Sequence, residues 1–184
     1  MKKGGRLATV LLIGFLVISG VQHIQAGDGT QPELKDTRND SLKKWDILSG
    51  WFHESTNDKN ILQVTIQMHT LSRIPSAYKV LFDIDSTEYK LNLTIKPLSI
   101  PRFQLTIKNE NTIIHTVKGN IDFVEYLITF KIPKNICPQM KRGSLITNTS
   151  ASAELNWAHF LPKNSLIHSY VCDVVHGSNY KIQY

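Results

Sequence analysis

Apolar and polar residues alternate with a period of two through the middle of the chain. The clearest runs are 61–70, 77–85, 87–96 and 102–108. In the first of them Leu62, Val64 and Ile66 share one face, while polar side chains occupy the other. This pattern is typical of antiparallel strands that are covered on one side and solvated on the other.

Turn residues separate these runs, and weaker patterns mark further strands. Asp85-Ser86 joins two runs as tightly as a hairpin would. Further strands are predicted at 45–53, 112–121, 126–133, 144–155 and near 179–183, with room for brief helical turns only at 134–142 and 156–168. Eight to nine strands with one apolar face each must cover one another. The predicted fold is therefore all-β, an antiparallel two-sheet sandwich (jelly-roll-like) with little helix.

The N-terminus has the order of a secretory signal peptide. A positive start is followed by an apolar run from Leu7 to Val21 and then by the small residue Ala26. We expect residues 1–26 to be the signal peptide, 27–44 a polar lead-in and 45–184 one β-sandwich domain. The chain is therefore predicted to be secreted or held at the cell surface.

Two alternatives to cleavage after Ala26 remain open. Cleavage could fall nearer Gly20, or the segment could stay as a membrane anchor. The apolar run is shorter than the roughly 20 residues that cross a bilayer, which favours cleavage. Membrane attachment is expected only through an uncleaved signal peptide.

The charge of the chain argues against a nucleic-acid partner. The net charge is +6, but Lys2, Lys3 and Arg6 lie in the predicted signal peptide, which holds no acidic residue, so +3 would remain after cleavage. The other Lys and Arg residues are scattered, without runs or interleaved aromatic residues. No basic stripe of the kind that follows a phosphate backbone is predicted.

Cys137 and Cys172 are the two cysteines of the chain. In an oxidising compartment such a pair is a candidate disulfide, which would stabilise the fold by roughly 3–4 kcal/mol. The alternative is two separate buried thiols that pack as small apolar residues.

The order of short segments resembles a known type of exported domain. An acidic lead-in, Asp36 to Asp40, precedes Trp45 to Leu48. The segments that follow are Tyr78–Asp85, Gly119–Asp122, Phe130–Lys134 and Asp173–Tyr180. This order is similar to uncharacterised exported β-sandwich domains of archaea and bacteria, which look like relatives of the DOMON and family 9 carbohydrate-binding jelly rolls. The resemblance implies a jelly-roll-like sandwich with a ligand-binding role and no defined active site.

The chain departs from that pattern at two turns. Ser86 and Thr87 stand where a hairpin glycine usually follows the acidic strand end. The closing segment reads Gly177-Ser178-Asn179-Tyr180 where Gly-Arg-Asp-Tyr is common. Residue roles are therefore not transferred from the family at these positions.

Carboxylates near one hairpin are candidate calcium ligands. Asp83 and Asp85 lie at the end of a predicted strand, and Glu88 follows the turn. Calcium takes six to eight oxygen ligands, and carboxylates two residues apart can share the ion. The alternative is a solvated strand end with a turn-forming Asp. Asp36, Asp40 and Asp46 form a second candidate calcium cluster. No other cofactor is predicted.

Aromatic residues are candidates for sugar binding. Trp45, Trp51 and Tyr89 could stack on the apolar face of a pyranose, as could Trp157 and Tyr126. The alternative is that these side chains fill the sandwich core.

Three sequons are candidate sites of N-glycosylation. They begin at Asn39, Asn92 and Asn148, and Asn92 falls on the predicted polar face of its strand. Its predicted exposure makes Asn92 the favoured site.

No catalytic motif is apparent. The chain has no nucleophile elbow, phosphate loop or Cys-x-x-Cys pair. We therefore expect a non-catalytic secreted or cell-surface module that binds a glycan or an envelope protein. The alternatives are a structural envelope component and a glycan-active enzyme that uses Asp83 and Asp85.

Overall fold

A computed structural model describes residues 31–36, 41, 43, 45–71, 74, 76–155 and 170–184. Within these ranges the chain forms twelve β-strands and one short 3-10 turn, Lys134–Ile136. The strands are β1 Leu34–Lys35, β2 Ile47–Ser55, β3 Asp58–Met68, β4 Ser76–Ile84, β5 Thr87–Ile95, β6 Arg102–Lys108, β7 Thr112–Thr116, β8 Lys118–Asp122, β9 Leu127–Pro133, β10 Leu145–Leu155, β11 Tyr170–His176 and β12 Tyr180–Lys181. No helix among these residues is long and apolar enough to cross a membrane.

The strands form two antiparallel sheets, which confirms the predicted all-β sandwich. The five-stranded sheet has the order β1-β2-β3-β9-β8. The seven-stranded sheet has the order β11-β10-β4-β5-β6-β7, and β12 pairs with β10. The structure thus has more strands than the eight to nine predicted.

The core lies between the two sheets and is built from the alternating apolar rows. Rings from the two layers meet directly: Phe52 of β2 contacts Phe82 of β4 at 5.5 Å, and Phe130 of β9 contacts Phe103 of β6 at 5.4 Å between centroids. Tyr180 of β12 stacks on Phe52 at 5.5 Å. The period-two rows therefore face a shared interior, as the sequence predicts.

The chain connects the two sheets at both lateral edges. On one side β7 and β8 are the edge strands of different sheets, and only Val117 separates them. On the other side a bridge between Leu34 and Gly177 joins β1 to the residue that follows β11. Gly177 allows this approach because a Cβ there would lie 2.6 Å from the Glu33 carbonyl oxygen.

The register defines two ends of the sandwich. At the first, which we call the Ser76 end, Ser76 of β4 pairs with Ile95 and Leu155, and Trp45 Nε1 donates a hydrogen bond of 3.2 Å to Ser76 Oγ. The start of β2, the end of β3, the β5–β6 connection 96–101 and the β8–β9 turn 123–126 all lie there. The hairpin turn Asp85-Ser86 and residues 109–111 lie at the opposite end.

Candidate metal centre

The structure does not gather the hairpin carboxylates into one cluster. Asp83 and Glu88 are cross-strand partners, and Asp83 Oδ2 accepts a hydrogen bond of 2.7 Å from Asn148 Nδ2. Asp85 is exposed in the two-residue turn, with a φ of 47°. Together with Glu88 these residues form a solvated strand end and turn, which is the alternative that the sequence left open.

Three other carboxylates converge at the Ser76 end. Asp36, Asp46 and Asp173 each offer one oxygen, and these oxygens lie within 4.8 Å of one another. They form the one group of metal-binding geometry among the described residues. We call this group the aspartate cluster.

Each member of the aspartate cluster comes from a different part of the chain. Asp36 directly follows β1, and its backbone N–H donates to the Leu48 carbonyl at 3.1 Å. Asp46 directly precedes β2. Asp173 lies in β11, and its Oδ2 accepts a hydrogen bond of 2.7 Å from the backbone N–H of Ile47. The edge strands β1 and β11 are thus both held against the start of β2.

Asp46 is the most unusual member of the cluster. Its side chain is fully buried, and neither carboxylate oxygen accepts a hydrogen bond from a described residue. His69 Nδ1 lies 3.3 Å from Asp46 Oδ2 but outside hydrogen-bond geometry. Burying an ionised carboxylate without hydrogen-bond partners is costly. The position therefore calls for a positive charge, which no Lys or Arg side chain among the described residues supplies.

The environment of Asp173 also disfavours its charged form. Burial is the largest cause that raises its pKa above the ordinary value, and the negative charges of Asp36 and Asp46 raise it further. Hydrogen bonds from the backbone N–H groups of Ile47 and Val174 act in the opposite direction. A cation between the three carboxylates would reverse this balance because it favours the ionised forms.

The cluster lies beside a surface depression. A shallow cavity of about 290 Å³ is lined by the β11 residues Val171, Cys172, Asp173 and Val174. Asp36 is half-buried, whereas Asp46 and Asp173 are buried. An ion could therefore approach the cluster from solvent on the side of Asp36 and β11.

Two of the five aromatic candidates for sugar binding lie in the core, whereas Tyr126 is exposed. Trp45 and Tyr89 are buried, and Tyr89 donates its hydroxyl hydrogen to Gln139 Oε1 at 2.7 Å. Their faces are covered by neighbouring side chains, as the core-packing alternative predicts. Trp51 is half-buried on β2. Trp157 lies outside the described residues.

The structure does not contain the candidate disulfide. Cys137 and Cys172 are both free thiols. Cys137 follows the 3-10 turn after β9, and the last residue of β9, Pro133, pairs with Ile61 at the end of β3 that lies away from the Ser76 end. Cys172 lies in β11 near Leu155, at the Ser76 end. The two thiols therefore lie toward opposite ends of the sandwich, which fits the alternative of separate packed thiols.

The predicted glycosylation sites differ in their environment. Asn92 is half-buried on β5, and its Nδ2 donates to Thr94 Oγ1 at 3.1 Å. Asn148 is exposed at a bulge in β10, with a φ of 51°. Asn39 lies outside the described residues. The structure thus exposes Asn148 more than Asn92, the site that the sequence favours.

Sequence reasoning found two of the three cluster members and missed the third. Asp36 and Asp46 belong to the second candidate calcium cluster, whereas Asp40 lies outside the described residues. The sequence pattern does not single out Asp173 or the neighbouring His69 as ligands. One pattern could have found Asp173, because it stands two residues before the buried Val175 and so places an acid in a core-facing row.

Comparison with protein-family models, curated proteins and solved structures gives no match for this chain. The resemblance to DOMON-like and family 9 carbohydrate-binding domains therefore remains a prediction. The geometry of the aspartate cluster is therefore the one feature from which a function is inferred below.

Proposed function

We propose that the protein is a non-catalytic, exported β-sandwich module that binds a calcium ion through Asp36, Asp46 and Asp173. The observation that carries the proposal is the fully buried carboxylate of Asp46, which accepts no hydrogen bond from a described residue and has an oxygen within 4.8 Å of two further carboxylate oxygens. Three like charges at this spacing repel one another in a medium that screens poorly. A divalent cation would neutralise two of the three charges and give the Asp46 carboxylate a positively charged partner.

The chemistry of the ligands favours calcium over other metals. All three groups are carboxylates, and hard oxygen ligands suit Ca²⁺ and Mg²⁺. Zinc prefers nitrogen and sulfur, and among the described residues only His69 offers a nitrogen close to the cluster. Calcium tolerates irregular geometry and a mixture of protein and water ligands, whereas magnesium demands a regular octahedron. Ligands drawn from three separate segments fit the more tolerant ion.

Isothermal titration calorimetry with Ca²⁺, Mg²⁺ and Zn²⁺ tests the proposal. We expect Ca²⁺ to bind with a Kd in the range of about 10⁻⁴–10⁻³ M or tighter, as extracellular calcium modules do. Asp46→Asn should abolish the binding heat. Asp83→Asn is the matched control, because Asp83 belongs to the hairpin at the opposite end of the sandwich and should leave binding unchanged.

Two results would contradict the proposal. One is the lack of any Ca²⁺ binding by the wild-type protein at millimolar concentration. The other is loss of binding in Asp83→Asn with retention in Asp46→Asn, which would move the site to the hairpin. Export, and a glycan or an envelope protein as the partner, remain predictions from the sequence alone.

A further inference from the structure

The Ser76 end carries exposed apolar side chains on separate elements. Leu98 is fully exposed and Ile100 is 86% exposed in the β5–β6 connection, and Val124 is 81% exposed in the β8–β9 turn. Tyr170 and Val171, at the start of β11, are also exposed. Single exposed apolar residues are ordinary, whereas several of them at one end of a fold are typical of an interaction site. We call Leu98, Ile100 and Val124 the apolar tips.

The conformation of Leu98 adds a second indication. Its φ is 53°, in the left-handed region that favours glycine and asparagine. A leucine at this position combines an unfavourable backbone conformation with full exposure of its side chain to water. Nothing within the described residues covers this side chain, so none of them offsets either cost. Strained residues of this kind persist where the local geometry serves a function.

The charges around the apolar tips change when calcium binds. Lys96 and Arg102 are exposed on either side of the loop that carries Leu98 and Ile100. The aspartate cluster lies at the same end, and its negative charges offset the positive charges of Lys96 and Arg102. A bound divalent ion would neutralise two of the three negative charges. Asp122 at the end of β8 and Glu125 in the β8–β9 turn add further negative charge, and hydrogen bonds from the backbone N–H groups of Glu125 and Val124 hold the pKa of Asp122 below its ordinary value. A bound ion adds two positive charges at this end, so attraction to an anionic surface should be stronger with calcium than without it.

We propose that the Ser76 end docks on an anionic lipid bilayer when calcium occupies the aspartate cluster. This inference rests on the proposed calcium site and adds its partner. The apolar tips insert among the lipid headgroups, Lys96 and Arg102 pair with lipid phosphates, and the bound ion reduces the repulsion. Protruding side chains on separate loops fit a soft interface, which can accept them without a complementary groove.

Vesicle co-sedimentation tests this proposal. The probes are vesicles of phosphatidylcholine alone and vesicles that also contain phosphatidylserine, each in about 1 mM Ca²⁺ or in excess chelator. We expect the wild-type protein to pellet with the anionic vesicles in Ca²⁺, and at least about tenfold less protein to pellet in chelator or with neutral vesicles.

Loop variants separate this inference from the calcium site. The double variant Leu98→Ser/Ile100→Ser should lose vesicle binding by at least about tenfold, because two inserted side chains are removed, while its calcium titration stays that of the wild type. The control is Ile114→Ser/Leu145→Ser, which removes two other exposed apolar residues, one from the edge strand β7 and one from the opposite end. This control should bind vesicles as the wild type does.

The possible failures of the two proposals differ. Calcium binding without vesicle binding would overturn the docking proposal and leave the calcium site intact. Vesicle binding that is equal in chelator and in Ca²⁺ would overturn the calcium dependence of docking. Absence of Ca²⁺ binding by the wild-type protein in calorimetry would overturn the proposed function. Wild-type vesicle binding by the Leu98→Ser/Ile100→Ser variant, or self-association that this variant abolishes in sedimentation velocity, would show that the apolar tips serve another contact.

Discussion

At the level of single residues, burial controls the reactivity of the two thiols. Burial raises the pKa of Cys137 to about 12. Cys172 is half-buried, and its pKa is raised first by burial and then by the charges of Asp173 and Glu154. Because the thiolate is the reactive form, both thiols are slow nucleophiles at neutral pH, and Cys137 is also sterically covered.

We predict that one thiol of the native protein is accessible to a thiol reagent at pH 8. Cys172 should react slowly, and its rate should rise about tenfold per pH unit below its pKa as the thiolate fraction grows. Cys137 should react only after denaturation. Mass-spectrometric mapping of the labelled cysteine checks this, with Cys172→Ser as the control that should remain unlabelled when native. A protein that cannot be labelled until it is both denatured and reduced would instead contain the disulfide.

The aspartate cluster shows how far single residues can be interpreted from sequence. Asp36 and Asp46 stand ten positions apart, and the acidic segment that contains them predicts a calcium site. Asp173 reaches them only because β11 pairs with β10 and so lies beside the start of β2. A contact across more than 120 residues depends on strand order, which the alternation pattern does not specify. The hairpin acids form the more conspicuous motif, yet they remain a solvated turn.

At the level of elements, a buried carboxylate holds the C-terminal segment. Glu54 of β2 forms an ion pair with Lys134 and accepts hydrogen bonds from the Tyr180 hydroxyl at 3.0 Å and the Gln183 backbone N–H at 2.6 Å. Lys134 Nζ also donates to the Tyr184 carbonyl at 2.7 Å. Burial, followed by the charge and hydrogen bond of Glu54, raises the pKa of Tyr180. This carboxylate thus ties β12 and the residues after it to the five-stranded sheet.

We predict that Glu54→Gln destabilises the protein by about 3–5 kcal/mol, because it leaves Lys134 without its buried counter-charge. Urea denaturation followed by Trp fluorescence measures the free energy of unfolding. The matched control is Glu154→Gln. Its ion pair with Lys79 is more exposed, so the loss should be about 1 kcal/mol or less. Equal losses in both variants would show that the Glu54 contacts add nothing beyond those of the less buried Lys79–Glu154 pair.

A second element-level prediction concerns the packing of β8 on β6. A Cβ at Gly119 would lie 2.2 Å from Phe103 Cδ1, so Gly119→Ala should destabilise the fold by about 1–3 kcal/mol. The double variant Gly119→Ala/Phe103→Leu removes the obstructing ring and should lose less than the sum of the two single changes. Strictly additive losses in urea denaturation would contradict this contact.

Element positions were predictable where the alternation was strong, and less so at the edges. The runs in β3 to β6 match the structure closely because each buries one apolar face. The predicted strand 112–121 is instead two strands in different sheets, since the chain crosses between layers at Val117. The strand β1 has only two residues, and β11 carries exposed apolar residues on an edge, so neither shows a clear period of two.

At the level of the whole molecule, the aspartate cluster joins three segments that are distant in sequence. Asp36 follows the first strand of the five-stranded sheet, Asp46 precedes the second, and Asp173 belongs to the edge strand of the other sheet. An ion held by all three would connect the two layers at the Ser76 end. Such an ion binds only the folded chain, so it stabilises that state.

We predict that saturating Ca²⁺ raises the Tm of the wild-type protein. At 100 times the Kd the gain is about 2.7 kcal/mol, or roughly 5–10 °C for a domain of this size. Asp46→Asn should lose this shift. Its metal-free form should also melt above the metal-free wild type, because one of three repelling carboxylates is removed. Differential scanning calorimetry with and without chelator checks both, and a destabilised Asp46→Asn protein that keeps its calcium shift would contradict them.

The crossing at Val117 and the bridge between Leu34 and Gly177 also bear on self-association. An exposed strand edge offers unpaired backbone groups to another copy and so invites fibrous growth. Here β7 continues directly into β8, and β1 pairs with the residue that follows β11. Because each edge strand is joined to an edge strand of the other sheet, local unfolding of one must also disturb the other. Amide protons on both margins should therefore exchange with deuterium at similar rates, and a chain cut at Val117 should aggregate more readily than the intact one.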